Sequence, residues 1–380
     1  MRNVRDKITR VKNYVKSVVV GHNDLIDMIF AALLTQNHVF VYGPPGVAKT
    51  YTAESIFQFL AGTVFKVQCS KRMSEDYMIG PPDMKLFKDS GIIHHITKGF
   101  LPEADYAIID EALDAPESVL RATLGILNER HLMKGQQYQK CPMKTAVFAT
   151  NYSPDSEALE AVEDRFLYRL EVAQLSSSEQ LLGMLNAGSD EQPRIRLTKG
   201  DLALAAASIS EIYVPQVFQE AVIQIALDCR AEGLRVSDRR IKWSFDALKV
   251  NAYLDNRPYV LPQDLSCLDK VFIVAGRQRE ESKFSTVGAK NAKSMLSSIE
   301  DEYKIMYICD TETPRGLLSL VDCTSKETLN ETRKEVTSRV QKLKELLAEV
   351  PTTNKSVSDR VSRYLRELTD LNRELKGLKV

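Results

Sequence analysis

The chain has 380 residues, 44% of them hydrophobic, and equal numbers of basic and acidic side chains, 51 of each. One hydrophobic core rarely supports this length, so two or three domains are expected. The balanced charge excludes the strong overall attraction to nucleic acid or anionic membrane that a basic protein has. The sequence holds no apolar run of about 18 residues to span a bilayer. The N-terminus does not have the pattern of a signal peptide.

The spacing of the cysteines indicates the redox state of the compartment in which the protein is found. The cysteines are never closer than 14 residues, which excludes a CxxC pair for zinc or redox chemistry. We expect them to be small buried side chains in a reducing compartment, so a cytoplasmic location is predicted. Their positions are Cys69, Cys141, Cys229, Cys267, Cys309 and Cys323.

The first 170 residues alternate helical patterns with short β-branched runs, which is typical of a parallel sheet with crossover helices. Helices are predicted over Thr50–Phe59 and Pro116–Glu129. The predicted strands are His38–Tyr42, Thr63–Gln68, Tyr106–Ile109, Thr145–Ala149 and Tyr168–Val172.

The pattern changes after Ala173, and apolar residues recur at helical spacing up to about Val274, which predicts a helical second domain. Its helices are predicted over Leu202–Ile212, Val217–Ala231 and Arg240–Leu254. Two short strands are predicted further on, at Ile305–Ile308 and Leu317–Val321. Heptad-like apolar spacing on both sides of Pro351 then predicts an antiparallel helical hairpin at the end of the chain.

A phosphate-binding loop is indicated directly after the first strand. The segment matches GxxxxGK[ST] except that Ala48 stands at the position of the last glycine. Such a loop supplies backbone N–H groups and a helix N-terminus to phosphate oxygens. Lys49 would contact the β- and γ-phosphates, and Thr50 would bind Mg²⁺. A proline-glycine turn before an ordinary helix is the alternative. The residues are Gly43, Pro44, Pro45, Gly46, Val47, Ala48, Lys49 and Thr50.

Two further strands end in polar residues. Asp110 and Glu111 follow Tyr106–Ile109, and ligands bind at the carboxyl ends of parallel strands. We expect Asp110 to hold Mg²⁺ through water and Glu111 to act as general base on the attacking water. Asn151 follows Thr145–Ala149. Its local sequence read alone favours a turn role, but beside the other motifs it is expected to bind the γ-phosphate or that water.

Two arginine clusters complete the candidate site. Arg165 is the candidate arginine finger, offered to the nucleotide of a neighbouring subunit, because phosphoryl transfer depends on charge stabilisation. Arg239 is the candidate for sensing the nucleotide from the second domain of the same chain, with Arg240 as the alternative. A surface salt bridge is the competing interpretation of the first cluster, and a helix cap at Ser237 of the second.

The order of these motifs resembles that of the AAA+ proteins, and in detail the RavA-like subgroup of the MoxR family. The resemblance covers roughly residues 10–280 and is specific over 40–170. Its motifs are GPPGVAKT, IIDEA, ATN, EDRF and VSDRR, together with Gly80–Pro82, Ile96–Ala104, Leu127–Arg130 and Pro142–Met143.

The resemblance implies an α/β AAA+ P-loop core over residues 1–173 and an all-α lid over 174–282. A mostly helical extension over 283–380 would end in the hairpin, at about 324–380. It also implies ATP and Mg²⁺ as cofactors, a ring of identical subunits that is usually hexameric, and an inserted hairpin near Met84–Ile96 that grips substrate. The segment Val20, Gly21 and His22 resembles the family's adenine-binding segment.

The sequence therefore predicts an ATP phosphohydrolase that drives conformational change in a protein client, with a von Willebrand factor A domain protein as a partner implied by the resemblance. A nucleic-acid-associated AAA+ motor or helper ATPase is the alternative, although the basic excess of the tail is mild. A nucleotide-binding switch with little turnover is a third possibility. A salt-dependent DNA affinity and a phosphate-release assay distinguish these readings.

Overall fold

The computed structural model describes residues 2–152, 162–186, 192–214, 216–275 and 277–285, and in the tail 330, 332–334, 336–338, 340–341, 344 and 355–377. Contacts within the chain divide it into two units, Met1–Gly288 and Ala289–Val380. The strands predicted at 305–308 and 317–321 lie outside the described residues. Four cysteines, Cys69, Cys141, Cys229 and Cys267, are buried free thiols, as predicted. Cys309 and Cys323 lie outside the described part.

A parallel sheet forms the centre of the first unit. The strands are β1 (Val39–Tyr42), β2 (Val64–Gln68), β3 (Tyr106–Asp110), β4 (His131–Lys134), β5 (Gln137–Lys140), β6 (Thr145–Thr150) and β7 (Tyr168–Glu171). All except β4 and β5 form one sheet in the order β2-β3-β6-β1-β7, with every pair parallel. The five strands predicted from apolar runs are therefore confirmed.

The burial of the strands follows their position in the sheet. Every residue of β1 and β6 is buried, whereas β2 alternates between exposed and half-buried positions because it lies at an edge. The register pairs Tyr42 with Thr150 and Ile109 with Phe148. The carboxyl ends of β1, β3 and β6 are therefore neighbours, and the segments that follow them meet at one edge of the sheet.

Helices cover the sheet and continue into the lid region. In the first unit they are α1 (Arg2–Val18), α2 (Asn23–Thr35), α3 (Lys49–Phe57), α4 (Asp76–Ile79), α5 (Met84–Ser90), α6 (Glu117–Leu124), α7 (Ser178–Asn186), α8 (Lys199–Ser210), α9 (Gln216–Ala231), α10 (Asp238–Leu254) and α11 (Asp269–Phe272). In the described part of the chain, no helix is long and apolar enough to cross a membrane.

The helix α1 shows why these segments fold as they do. Val4, Ile8, Val11 and Val15 recur at helical spacing and are buried, while the charged residues between them remain at the surface. The predicted helix over Pro116–Glu129 is confirmed, but its last turn, Gly125–Glu129, is a π-helix that ends at Arg130 with φ 59°.

The helical second domain is confirmed by α8, α9 and α10. Thr198 and Asp201 cap α8 reciprocally through a capping box. Just before this helix, the chain returns to the core: Ala61 N donates to Leu197 O at 2.8 Å, and Leu197 N donates to Phe59 O at 2.8 Å. The lid helices are therefore joined to the sheet at the β2 end as well as by the chain that follows β7.

Two features of the core differ from expectation. The segment Met84–Ile96, predicted as a hairpin, contains the helix α5, which Asp83 caps by accepting from Lys85 N and Leu86 N at 3.0 Å. Pro82 and His95 do pair in an antiparallel bridge at the base of this segment, as in a hairpin, but the capped helix α5 replaces the predicted strand between them. The antiparallel pair β4–β5, which the sequence analysis did not predict, follows the π-helix instead.

The second unit contains the helix α12 (Lys355–Gly377) and helical positions between 330 and 344. Val336, Val340, Tyr364, Leu368 and Leu371 are buried. Thr337 Oγ1 donates to Asn372 Oδ1 at 3.4 Å, which joins the two helical segments. These contacts agree with the predicted helical hairpin.

Candidate active site

The loop between β1 and α3 forms a narrow turn with left-handed backbone at three positions. A Cβ atom on Gly43, at φ 153°, would lie 2.1 Å from Val172 O, so only glycine fits there. Gly46 has φ 82° and faces open space. Ala48 has φ 57° and ψ 24° and directly precedes Lys49, the first residue of α3. The loop therefore ends in a helix N-terminus, as a phosphate-binding loop requires.

The side chain of Lys49 reaches back into this loop and is buried. Its Nζ donates to Gly43 O at 2.8 Å, to Pro44 O at 2.9 Å and to Asn151 Oδ1 at 3.0 Å. Burial lowers the pKa of Lys49, while the carboxylates of Asp110 and Glu111 act in the opposite direction. The ammonium group is therefore held at the mouth of the loop and faces the ends of β3 and β6.

The acidic residues at the end of β3 continue this cluster. Thr50 Oγ1 donates to Asp110 Oδ2 at 2.8 Å, and Glu111 N donates to Asp110 Oδ1 at 3.0 Å. Asn151 Nδ2 donates to Glu111 Oε1 at 2.5 Å. The structure thus brings together five predicted residues in one hydrogen-bonded set, and Asn151 is the bridge between the lysine and the glutamate.

The chemistry of this donor set fits the expected cofactor. Mg²⁺ takes hard oxygen ligands and few carboxylates, and the Thr50 hydroxyl and the Asp110 carboxylate are such groups at hydrogen-bonding distance from each other. Glu111 lies beside them in a left-handed conformation, with φ 50° and ψ 39°. A backbone in this sparsely populated region persists only where its surroundings hold it, as is common at active sites.

The segment Val20, Gly21 and His22 connects α1 to α2. A Cβ atom on Gly21, at φ 83°, would meet Leu175 Cδ2 at 2.3 Å, and Gly183 lies against the side chain of Val20. His22 is buried, and burial lowers its pKa. The segment is thus enclosed by the chain after β7 and by α7. The sequence analysis missed Leu175, for which no motif provides a signal.

Among the contacts of the described residues, none links Arg165 or Arg239 to the hydrogen-bonded set. Arg165 is half-buried in a short turn in which its N donates to Val162 O at 3.1 Å. Arg239 is exposed, with its guanidinium 5.6 Å from the centre of the Trp243 ring. Among the described contacts, no hydrogen bond or ion pair connects Arg239 to Lys49, Thr50 or Asp110. Arg240, the alternative sensor, is fully buried, and its guanidinium binds protein acceptors.

A further residue that the sequence analysis missed contacts the stem of the loop. Arg277 Nη2 donates to the hydroxyl of Tyr42 at 2.6 Å, and its guanidinium lies 5.5 Å from the centre of the same ring. Arg277 Nη1 also donates to Glu280 Oε1 at 2.6 Å. Tyr42 immediately precedes Gly43, so the end of the lid region packs on the base of the phosphate-binding loop.

The sheet order, the loop after β1 and the polar ends of β3 and β6 define a P-loop core of AAA+ type with a helical lid. A sequence model described as the MoxR domain in the MoxR-vWA-beta-propeller ternary systems matches residues 6–212. A model of the AAA lid domain matches residues 219–281. The first match covers more than half of the chain, and the chain therefore belongs to the MoxR family of AAA+ ATPases.

Individual relatives agree with this assignment. The chain is 29% identical to protein MJ0812 of Methanocaldococcus jannaschii over 265 residues. This aligned region covers 70% of this chain and 71% of the relative. It is 26% identical over 268 residues to chaperone MoxR1 of Mycobacterium tuberculosis, covering 66% and 70% of the two chains. A crystal structure of a proposed ATPase from Cytophaga hutchinsonii superposes with a TM-score of 0.61 at 19% identity, over 75% of this chain and 94% of that one, which shows a shared fold.

Proposed function

We propose that this chain binds ATP with Mg²⁺ and hydrolyses it, and that hydrolysis drives a conformational change in a protein client. The observation that carries the proposal is the hydrogen-bonded set of Lys49, Asn151, Glu111, Asp110 and Thr50 at one edge of the sheet. It combines a cation for phosphate, a hydroxyl and a carboxylate for a metal ion, and a second carboxylate for a water.

Each residue of this set has a distinct task. Lys49 exchanges its bonds to Gly43 O and Pro44 O for the oxygens of the β- and γ-phosphates. Thr50 and Asp110 would hold Mg²⁺, which would supply positive charge against the charge that develops on the phosphates. Glu111 accepts the proton of the attacking water. Asn151 fixes the orientation of Glu111 relative to Lys49, and its neutral amide adds no charge to the site.

The remaining assignments extend the site to an assembly. We propose a ring of identical subunits, expected to be hexameric, in which Arg165 of one subunit approaches the nucleotide of the next. Val20, Gly21 and His22 would line the adenine position. Arg239, exposed at the start of α10, retains a role as nucleotide sensor only as a prediction, because its described contact is with Trp243.

The partner is inferred from the family. Because the matching family model is named for systems that combine MoxR, von Willebrand factor A and β-propeller proteins, we propose a von Willebrand factor A domain protein as a partner. Chaperone MoxR1 is a relative with a name that suggests action on proteins. The RavA-like subgroup, the cytoplasmic location and the domain limits at 173 and 282 remain predictions.

Substitution of the general base tests the central claim. Glu111→Gln removes the proton acceptor but preserves the size of the side chain and its acceptor oxygen for Asn151 Nδ2. We expect unchanged ATP binding and a loss of phosphate release of about 100-fold or more, in the range seen for general bases. Binding is measured by titration with a fluorescent ATP analogue, and turnover by a phosphate-release assay.

The matched control is Glu117→Gln, because Glu117 is an exposed residue at the start of α6 that pairs with Arg121. It should retain wild-type turnover. Phosphate release by Glu111→Gln at the wild-type rate would contradict the catalytic assignment. Loss of ATP binding in that variant would show instead that Glu111 shapes the binding site.

A further inference from the structure

The most completely satisfied buried cation in the described part of the lid is Arg240, at the start of α10. Its side chain is inaccessible to solvent. Nε donates to Asp164 Oδ1 at 2.8 Å, Nη1 donates to Leu167 O at 3.2 Å and Val271 O at 2.8 Å, and Nη2 donates to Glu163 O at 3.4 Å and Phe166 O at 3.0 Å. A guanidinium has five N–H groups, so all of them are used.

Four of these five acceptors belong to one short segment, residues 163–167, which directly precedes β7. The segment is a tight turn in which Phe166 N donates to Glu163 O at 3.1 Å. Ser237 Oγ, at the N-cap of α10, also donates to Asp164 Oδ1 at 3.1 Å. The start of the lid helix thus holds both the backbone and the acidic side chain of the turn.

Arg165 lies in the middle of this turn. A planar guanidinium with fixed donor directions sets the relative positions of its acceptors more strictly than an ammonium group with three donors. Burial lowers the pKa of Arg240 to about 9, while Asp164 acts in the opposite direction, so the group stays charged at neutral pH.

We propose that Arg240 is a positioning residue that fixes the turn carrying Arg165, so that the lid sets where this arginine is presented. The proposal rests on the proposed function, in which Arg165 stabilises charge on the nucleotide of a neighbouring subunit. Its consequence is that the position of α10 and the catalytic contribution of Arg165 are coupled.

The test is a double-mutant cycle in the full chain. Arg165→Ala, Arg240→Lys and the double variant are compared with wild type for kcat and KM of ATP hydrolysis. Lysine keeps the charge but cannot reach the five acceptors. We expect Arg240→Lys to lower kcat roughly 10- to 100-fold, as a displacement of about 1 Å does, with KM within twofold of wild type. The double variant should match Arg165→Ala, because Arg240 acts only through Arg165.

The matched control is Arg257→Lys, the same substitution at another lid arginine, whose guanidinium binds Asp264 Oδ1 and Oδ2 at 2.7 Å. It should leave kcat unchanged. Hydrogen exchange gives a readout independent of turnover: the amides of Arg165 and Phe166 should exchange faster in Arg240→Lys and at the wild-type rate in Arg257→Lys.

Each outcome decides the proposal. Additive losses in the double variant, or unchanged exchange at 165–166 in Arg240→Lys, overturn the positioning role while leaving the proposed ATPase intact. Wild-type kcat in Arg165→Ala overturns both the finger assignment and the inference built on it. Absence of turnover in the wild-type chain, with Mg²⁺ and ATP present, removes the proposed function and the positioning role with it.

Discussion

Ala48 and Glu111 are two non-glycine residues at the candidate site with left-handed backbone, at φ 57° and 50°. For a residue with a Cβ atom, this conformation costs about 1 kcal/mol. Ala48 is fixed there because Thr52 binds its carbonyl through both N, at 2.9 Å, and Oγ1, at 2.7 Å. The loop therefore keeps the geometry of a glycine-containing phosphate loop at a cost in local strain.

Relief of this strain is measurable. Ala48→Gly should raise the free energy of unfolding by up to about 1 kcal/mol, because strain is removed, although the greater freedom of glycine in the unfolded chain offsets part of the gain. Urea denaturation monitored by circular dichroism measures the change. Ala53→Gly, in the interior of α3, is the control and should be destabilised by about 1 kcal/mol or more. Equal losses in both variants would contradict the strain argument.

Asp105 connects three elements. It stands just before β3, and its side chain is buried. Its Oδ2 accepts from Thr63 N at 2.9 Å and from Thr63 Oγ1 at 3.0 Å, and its Oδ1 pairs with Lys199 Nζ at 2.7 Å. Burial raises the pKa of Asp105, but the hydrogen bonds from Lys199 and Thr63 outweigh it, so the pKa is lowered. The carboxylate thus joins β2, β3 and the start of α8.

We expect Asp105→Asn to lower the free energy of unfolding by about 1 to 3 kcal/mol at pH 7, since a charged acceptor is lost in a buried position. A lowered folded pKa means that this contribution is present above the unfolded value of 3.8 and is lost as the pH falls through the folded pKa. The deficit of the variant should therefore shrink in strong acid. Chemical denaturation at several pH values measures it.

Lys199→Gln serves as the comparison. The side chain of Lys199 is 60% exposed, and exposed partners of ion pairs contribute little. Its loss should be clearly smaller than that of Asp105→Asn. A larger loss would mean that the link to α8, rather than the bonds to Thr63, carries the effect.

Elements with strong apolar patterns were predictable, and those with weak patterns were not. Four of the five strands of the parallel sheet are short apolar runs that are mostly buried, and the fifth, β2, is an edge strand with β-branched and aromatic residues. These runs made the type and the order of the strands predictable. In contrast, β4 and β5 are four residues each and carry exposed residues such as Met133 and Tyr138. A single glycine turn, Gly135–Gln136, was the signal available. The helix α5 was not predicted because its N-cap, Asp83, is recognisable only from the hydrogen bonds that its side chain accepts in the structure.

The candidate site divides in the same way. Asp110, Glu111 and Asn151 lie at the carboxyl ends of β3 and β6, and Lys49 and Thr50 begin the helix after the loop that follows β1. Parallel-sheet geometry and the loop motif were therefore enough to predict that they meet. The interactions of Arg240 and Arg277 depend on how the two ends of the lid region pack against the core. Packing between segments that are distant in the chain leaves no periodic pattern in the sequence. The contacts of these two arginines could therefore be identified only in the structure.

At the scale of the whole molecule, one buried histidine affects acid stability. His38 accepts from Ala146 N at 3.0 Å through Nδ1, and its Nε2 lies 3.1 Å from Leu127 O. Burial, together with the charge of Arg130, lowers the pKa of His38 to about 3. At pH values between this folded pKa and the ordinary pKa of 6.5, His38 is protonated in the unfolded chain but not in the folded one. The contribution of His38 to stability is therefore fully present above pH 6.5 and is lost as the pH falls toward the folded pKa.

The expected slope from this group is at most about 1.4 kcal/mol per pH unit between pH 6.5 and 5. His38→Gln should be less stable at pH 7 but should show a shallower slope, because Gln does not titrate. Urea unfolding at four pH values measures both quantities. His94→Gln, at an exposed histidine, controls for loss of an imidazole. An unchanged slope in His38→Gln would assign the acid sensitivity to other groups.

The backbone hydrogen bonds between Leu197 and the Phe59–Ala61 segment affect what happens when a protease cuts the chain before Leu197. Residues on the two sides of the stretch between Asn186 and Gln192 are held together by these bonds, by Lys199 on Asp105 and by Arg240 on the turn at 163–167. A protease that cuts once in this stretch would leave two fragments that elute together from a sizing column. Their separation would then require denaturant, and the nicked protein would keep its sheet.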